Sequence, residues 1–206
     1  MARKEYLKGN LTESDLDSSP INQFAKWYDE AKKTSNAEPN ALALSTVSDN
    51  KPDSRMVLLK IFNEYGFIFA TNYESSKSKQ LLDNPNAHML FYWPELERQV
   101  RISGLVKKAT KEASDQIFYS RPKGSQIAAI ASKQSSVISA RSELEKEYQK
   151  TENAFKTTEP VRPDYWGAYL LIPDRFEFWQ GRENRLHDRI IYEYKSNTWQ
   201  IYRVAP

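Results

Sequence analysis

The stretch RFEFWQGRENRLHDR, residues 175–189, sets several guanidiniums, one imidazole and one indole close together in the chain. Its first half alternates as a strand does, with Phe176 and Phe178 on one face and Arg175, Glu177 and Trp179 on the other. Trp179 therefore falls on the polar side, where a core tryptophan is not expected. Gly181 breaks the strand. If the chain runs on extended beyond it, Arg185, His187 and Arg189 point the same way, because side chains two apart share a face. Cations so placed repel one another unless an anion lies between them. An isolated R-x-H-x-R is ordinarily a solvated basic loop. The polar-face Trp179 just upstream turns the reading towards a site for a flat, anionic ligand.

Further cations and hydroxyls lie elsewhere. Arg55 and Lys60 bracket Met56-Val57-Leu58-Leu59, an apolar run that reads as a strand covered on both sides. Lys60 shares its face with Met56, Leu58 and Phe62, so its ammonium either snorkels or is held for a buried anion. Ser75-Ser76-Lys77 at a helix start is an ordinary cap or an anion nest. Gln99, Arg101 and Ser103 share one strand face, which fits a hydrated sheet and a site equally well. In Ser120-Arg121-Pro122-Lys123-Gly124-Ser125-Gln126, Arg121 and Ser125 flank a helix start, a geometry suited to phosphate. Lys133-Gln134-Ser135-Ser136 adds amide and hydroxyl donors. Together with Arg55, Lys60, Arg185 and Arg189 these residues look like two phosphate sites. Two phosphates point to a phosphorylated cofactor beside a phosphorylated substrate.

The elements that must carry these residues follow from periodicity. Residues 1–18 read as a flexible polar arm and 19–206 as a single domain. Ser19-Pro20 caps a helix with Ile21, Phe24, Trp27, Tyr28 and Ala31 on its buried face. Strands are predicted at 41–47, 54–62, 67–71, 87–93 and 98–108, with a short helix at 75–84. Helices follow at 110–120, at 125–132 and from a cap at Ser139 to about Phe155. After a linker, strands return at 166–172, 175–180, 188–194 and 199–204. Strands outnumber helices and hairpin-length turns join most neighbours. The fold class is therefore mainly β with α, a closed or nearly closed antiparallel barrel with helices packed outside.

Composition excludes several other chemistries. Thirty basic and 27 acidic residues give a net charge of +3, too balanced for a protein whose main partner is nucleic acid. The chain has no cysteine, which rules out disulfides and a thiol nucleophile and suits the cytoplasm. No apolar run approaches membrane-spanning length. The six glycines are scattered, so neither G-x-G-x-x-G nor a Walker loop can be written, and side chains must hold any phosphate. His88 and His187 are the only histidines and lie far apart, so no metal site is expected.

SRMVLLK (54–60), TNYESSK (71–77), ERQVRISG (97–104), SRPKGSQI (120–127), SKQSSVISAR (132–141), WGAYL (166–170), FEFWQGRENRLHDR (176–189) and the terminal RVAP resemble the pyridoxamine 5′-phosphate oxidase family, over nearly the whole chain. The resemblance implies an FMN-binding split β-barrel homodimer with two sites at the subunit interface. It implies oxidation of pyridoxamine or pyridoxine 5′-phosphate to pyridoxal 5′-phosphate, with dioxygen reduced to hydrogen peroxide. Arg55, Met56, Val57, Leu58, Lys60, Ala70, Thr71, Ser76, Lys77, Gln99, Gln134, Ser135, Trp179 and Arg189 would contact FMN. Of these, Arg55, Lys77 and Ser135 would hold its phosphate, and Gln99 would reach the flavin of the other subunit. Lys60, Arg121 and Ser125 would hold the substrate phosphate. Arg185 and His187 would lie over the substrate near its reacting carbon as the catalytic pair, with Arg3, Lys4, Glu5 and Tyr6 of the arm also contacting substrate. Two positions depart from the family's pattern: Ile117 stands where Tyr is common, and Ser76 where Arg is common. These departures motivate an alternative on the same fold, a non-catalytic FMN or pyridoxal-phosphate binder; a related flavin reductase is a further alternative.

Overall fold

A computed structural model describes residues 5–36 and 38–206. Eight antiparallel strands form one sheet: β1 (Ala41–Ser48), β2 (Lys51–Asn63), β3 (Gly66–Asn72), β4 (Asn86–Trp93), β5 (Arg98–Lys108), β6 (Trp166–Gln180), β7 (Asp188–Lys195) and β8 (Thr198–Arg203). Their order is β3-β2-β1-β4-β5-β6-β7-β8, and β3 also pairs with β6. That extra pairing closes six strands into a barrel and leaves β7 and β8 as an extension of β6. Closure removes two exposed edges, which is how antiparallel sheets of this length avoid edge pairing.

The barrel interior is aromatic. Helix α1 (Pro20–Ala31) begins as its sequence predicts, with the Ser19 hydroxyl accepting from the Asn22 N–H and proline in the first turn. It drives Phe24 into the core, where the ring centroid lies 5.0 Å from Phe62 and from Phe91 and 4.9 Å from Phe67. A second cluster forms where α3 (Lys111–Tyr119) packs outside the barrel, joining Ile117 and Phe118 to Ile68, Trp166 and Ala168. The remaining helices are α2 (Ser76–Asp83), α4 (Lys123–Ala131) and α5 (Arg141–Ala154), the last with no buried residue.

The structure corrects three sequence expectations. Residues 166–180 form one strand rather than two, and Pro173 sits in it opposite Gly104 where the β5–β6 register shifts. A bulge tolerates a residue without an N–H, and a Cβ on Gly104 would lie 2.0 Å from the Ile172 carbonyl oxygen. Strand β2 bulges too, between Leu59 and Ile61. The extra residue flips the alternation, so Phe62 packs in the core with Leu59 while Lys60 is exposed and does not share its face. Nor is β2 covered on both sides within this chain, because Met56 is 66% exposed.

The segment expected to be a flexible arm is docked where it is described. Leu11 is in the core, the Lys8 N–H donates to the Glu97 carboxylate at 3.0 Å, and the Leu11 N–H donates to Asp188 at 3.1 Å. One buried leucine and long-range hydrogen bonds fix a stretch whose polar composition suggested solvent.

Candidate active site

Strands β2 and β3, the start of α2 and the loop after α4 surround a cavity of about 470 Å³. Its wall gathers Arg55, Met56, Val57, Leu58 and Lys60 from β2, Ala70 and Thr71 from β3, Lys77 from α2, and Gln134 from the loop. Arg121, expected to serve the substrate rather than the cofactor, lines the same space. Sequence reasoning did not assign Asn72, Ala128, Ala129, Ser132 or Trp166 to it. Asn72, Ser132 and Trp166 had a signal, in the TNYESSK, SKQSSVISAR and WGAYL motifs, whereas Ala128 and Ala129 had none.

Lys77 is 9% exposed, and its ammonium donates to Thr71 Oγ1 at 3.1 Å, Gln134 Oε1 at 3.0 Å and Ser75 Oγ at 3.3 Å. All three acceptors are neutral, and no carboxylate pairs with Lys77 among the described residues. Burial, and then the nearby Arg55 charge, push its pKa down. The Arg121 guanidinium lies 5.0 Å over the Trp166 ring and has no ion-pair partner among the described residues. Desolvation alone pushes its pKa down. Two cations without counter-ions on one cavity wall are a charge arrangement that anions complete.

Arg55 differs. Its Nη1 donates to the Leu44 carbonyl and to Thr46 Oγ1, and its Nη2 to Gln80 Oε1 at 2.9 Å and to the Asp53 carboxylate. Its charge is already balanced and its plane fixed. Ser76 is exposed and Ser135 sits at a φ of +71°, and neither is on the cavity wall. Ser125 lies in the first turn of α4, also off the wall.

The remaining site residues gather elsewhere, on the sheet. Gln99, Trp179 and Arg189 stand directly opposite one another across β5, β6 and β7, so all three share one face. Beneath them Glu177 is 1% exposed and bridges three guanidiniums: Arg189 Nε at 2.8 Å, Arg101 at 3.3 Å and Arg175 at 3.6 Å. Burial would raise its pKa, but the Arg189 hydrogen bond and the three positive charges outweigh it and hold the carboxyl below its ordinary range. The alternation in FEFW placed Glu177 on this face; nothing in the sequence marked it as the shared counter-ion.

The expected extended run through Arg185, His187 and Arg189 is not there. Glu183–Arg185 form a 3-10 turn, with Asn184 and Arg185 at φ of 55° and 62°. Arg185 is exposed on this turn, whereas His187 folds back until its ring is 4.7 Å from Trp179. The Arg182 N–H donates to His187 Nδ1 at 3.0 Å, so the neutral imidazole carries its proton on Nε2. Tyr6 packs edge-on against both rings, 5.6 Å from each, and a Cβ on Gly181 would lie 2.7 Å from it. Glu5 is exposed, and Arg3 and Lys4 lie outside the described residues. Within one chain, then, the cavity and the Gln99–Trp179–Arg189 row are separate sets. No group of acidic, histidine or cysteine side chains suited to a metal occurs among the described residues.

Residues 28–154 match the family model described as pyridoxamine 5′-phosphate oxidase, and residues 166–206 the one described as the pyridoxine 5′-phosphate oxidase C-terminal dimerisation region. A pyridoxine/pyridoxamine 5′-phosphate oxidase of Hydrogenovibrio crunogenus is 47% identical over 205 residues, covering 99% of this chain and 96% of that protein. Among solved structures, PhzG from Burkholderia lata 383, in complex with tetrahydrophenazine-1-carboxylic acid, has a TM-score of 0.88 at 30% identity, covering 94% of this chain and 95% of that one. A pyridoxamine 5′-phosphate oxidase-related, FMN-binding protein from Nostoc punctiforme shares the fold, with a TM-score of 0.71 at 17% identity over 93% of this chain and 100% of that one.

Proposed function

We propose, because the chain belongs to the pyridoxamine 5′-phosphate oxidase family, that it oxidises pyridoxamine or pyridoxine 5′-phosphate to pyridoxal 5′-phosphate with FMN as cofactor. The observation that carries this reading is the pair Lys77 and Arg121, buried and half-buried cations with no counter-ion among the described residues, facing one cavity. Two phosphorylated ligands supply what each lacks. FMN, when bound, would take a hydride from C4′ of the substrate and pass the electron pair to dioxygen, which leaves as hydrogen peroxide.

The chain's own residues bind and orient. Lys77, held by Thr71 and Gln134, offers its charge to the cofactor phosphate, with Arg55 on the same wall and Ser135 following Gln134 in the loop. Lys60, Arg121 and Ser125 serve the substrate phosphate. Fixing both phosphates fixes the two rings against each other, which is most of what a hydride transfer needs from a protein. Arg185 is exposed on its turn with its charge available to the reacting end of the substrate. His187, with Nδ1 occupied by the Arg182 N–H, would position the substrate rather than act as a base at that nitrogen.

A homodimer completes the site in this reading. The Gln99–Trp179–Arg189 row of one protomer would meet the cavity of its partner, in keeping with the dimerisation-region match over 166–206 and the uncovered face at Met56. No helix among the described residues is long and apolar enough to cross a membrane. We assign the reaction to the cytoplasm, which the absence of cysteine suits.

The test is direct. Flavin-loaded protein supplied with pyridoxamine 5′-phosphate and air should release aldehyde and peroxide in equal amounts. Tight binding of both ligands without turnover would instead leave a carrier, NAD(P)H-dependent flavin reduction would leave a reductase, and either would reject the oxidase.

A further inference from the structure

Asp188 opens β7 directly after His187, yet its carboxylate faces neither the cavity nor the Trp179 row. It collects three donors instead, from the N-terminal segment, the turn just upstream and the last strand. Oδ2 accepts the Leu11 N–H at 3.1 Å and Arg182 Nη1 at 2.9 Å, and Oδ1 accepts Arg203 Nη1 at 2.7 Å. The Asp188 side chain is only 15% exposed. Arg203 closes the figure from the other side, donating to the Leu11 carbonyl at 2.8 Å and to Glu13 at 2.9 Å. Leu11 thus has both its backbone N–H and its C=O tied to this one ion pair, and its side chain is in the core.

What the tie holds down matters. Five residues before Leu11, Tyr6 lies edge-on to Trp179 and His187. Arg182, the third partner, is the residue whose N–H fixes the His187 tautomer. The same carboxylate therefore anchors the N-terminal segment and the turn that carries Arg185 and His187. We infer that Asp188 is a positioning residue, a latch that seats the N-terminal segment over the Trp179–His187 pair and registers it against the 182–187 turn. It touches no reacting atom. Its effect on the reaction runs through Tyr6 and His187, and so rests on the activity proposed above. The latch itself does not.

Asp188→Asn keeps the size of the side chain but removes the charge that two guanidiniums share. Arg203→Gln, on the C-terminal edge strand, attacks the same latch without touching the neighbours of His187. Each variant is read in the flavin-loaded full chain by trypsin cleavage after Lys8 and by the kinetics of pyridoxamine 5′-phosphate oxidation. Losing charge-assisted bonds at a partly buried tie should speed cleavage after Lys8 about tenfold. KM should rise by a similar factor, about tenfold, while kcat stays within about threefold of the parent's and FMN retention is unchanged. Equal protection of Lys8 in parent and variants overturns the latch. A loosened segment with unaltered KM overturns the positioning role, because a purely structural tie would lower thermal stability and leave KM alone. If the parent itself turns over no substrate, the oxidase reading fails, while the proteolysis still decides whether Asp188 holds the segment.

Discussion

Two groups of cations in this chain have opposite charge accounts. On the sheet, Arg101, Arg175 and Arg189 converge on one buried carboxylate, Glu177. On the cavity wall, Lys77 and Arg121 are desolvated with neutral partners only, a trio of oxygens for one and an indole face for the other. A folded chain tolerates a desolvated charge when something neutralises it. The sheet group shares an internal counter-ion that offsets part of its charge, so its geometry is set before any ligand arrives. The cavity group waits for charge from outside. Residue type does not distinguish the two groups, since arginine occurs in both. The counter-ion does.

Glu177→Gln should produce the largest effect and test the first half of that contrast. It leaves three guanidiniums facing a neutral amide. The expected loss is about 3 kcal/mol of unfolding free energy, the low end for a broken buried pair because the arginines keep part of their solvent. Denaturant unfolding measures it. Acid should abolish the difference in a defined direction. The folded pKa of Glu177 is held low, so its contribution is complete above the unfolded glutamate value and disappears as pH falls through the folded one. Parent and variant should therefore differ fully above about pH 5 and converge below it. A gap that widens on acidification would mean that Glu177 is not the counter-ion.

Lys77→Met and Arg121→Met should do the reverse. Each removes a desolvated cation, so the flavin-free protein should unfold no more easily than the parent. In the Lys77 variant, the Thr71 hydroxyl still donates to Gln134 Oε1 at 2.9 Å, so the loop keeps one of its ties. The cost should appear on binding. Loss of one charge-assisted hydrogen bond is about 1.5–3 kcal/mol, or roughly 10- to 100-fold in affinity. Flavin fluorescence titration should show it for Lys77, and the KM for pyridoxamine 5′-phosphate should show it for Arg121. If either variant were destabilised as much as Glu177→Gln, that cation would be structural and the contrast would fail.

The sequence made the barrel legible because hairpin spacing and period-two alternation are local signals, and because Ser19-Pro20 is a cap with a mechanism. It misread the places where one residue changes the phase. The Lys60 bulge moved Phe62 to the opposite face, and the left-handed pair Asn184–Arg185 bent a run that reads as extended. Both are invisible to a method that counts residues by twos. Cavity residues on β2, β3 and α2 were legible because ordered motifs carry them. The sharing of Glu177 and the docking of Leu11 were not, because each depends on partners far away in the chain; Leu11 and Asp188 are 177 positions apart. Composition gave residues 5–18 the look of an arm, and no local pattern reports a long-range tie.

Ser76→Arg should have the smallest effect and sharpen the contrast most finely. Ser76 opens α2 beside Lys77, is exposed, and stands where the resembling family commonly has a second cation. An added guanidinium there would supplement the charge that the cavity lacks a partner for. It would also place positive charge at the positive end of a helix, a cost of about 0.3–1 kcal/mol that falls on the flavin-free protein. The flavin-free variant should therefore be slightly less stable than the parent, while its flavin affinity rises a few-fold, since an exposed charge is worth little more than about 1 kcal/mol against a solvated phosphate. Titration at low and high salt separates the two effects, because the gain should fade as screening increases. A gain that survives high salt would mean that the new arginine is buried against the phosphate, and that the cavity wall extends to the exposed start of α2.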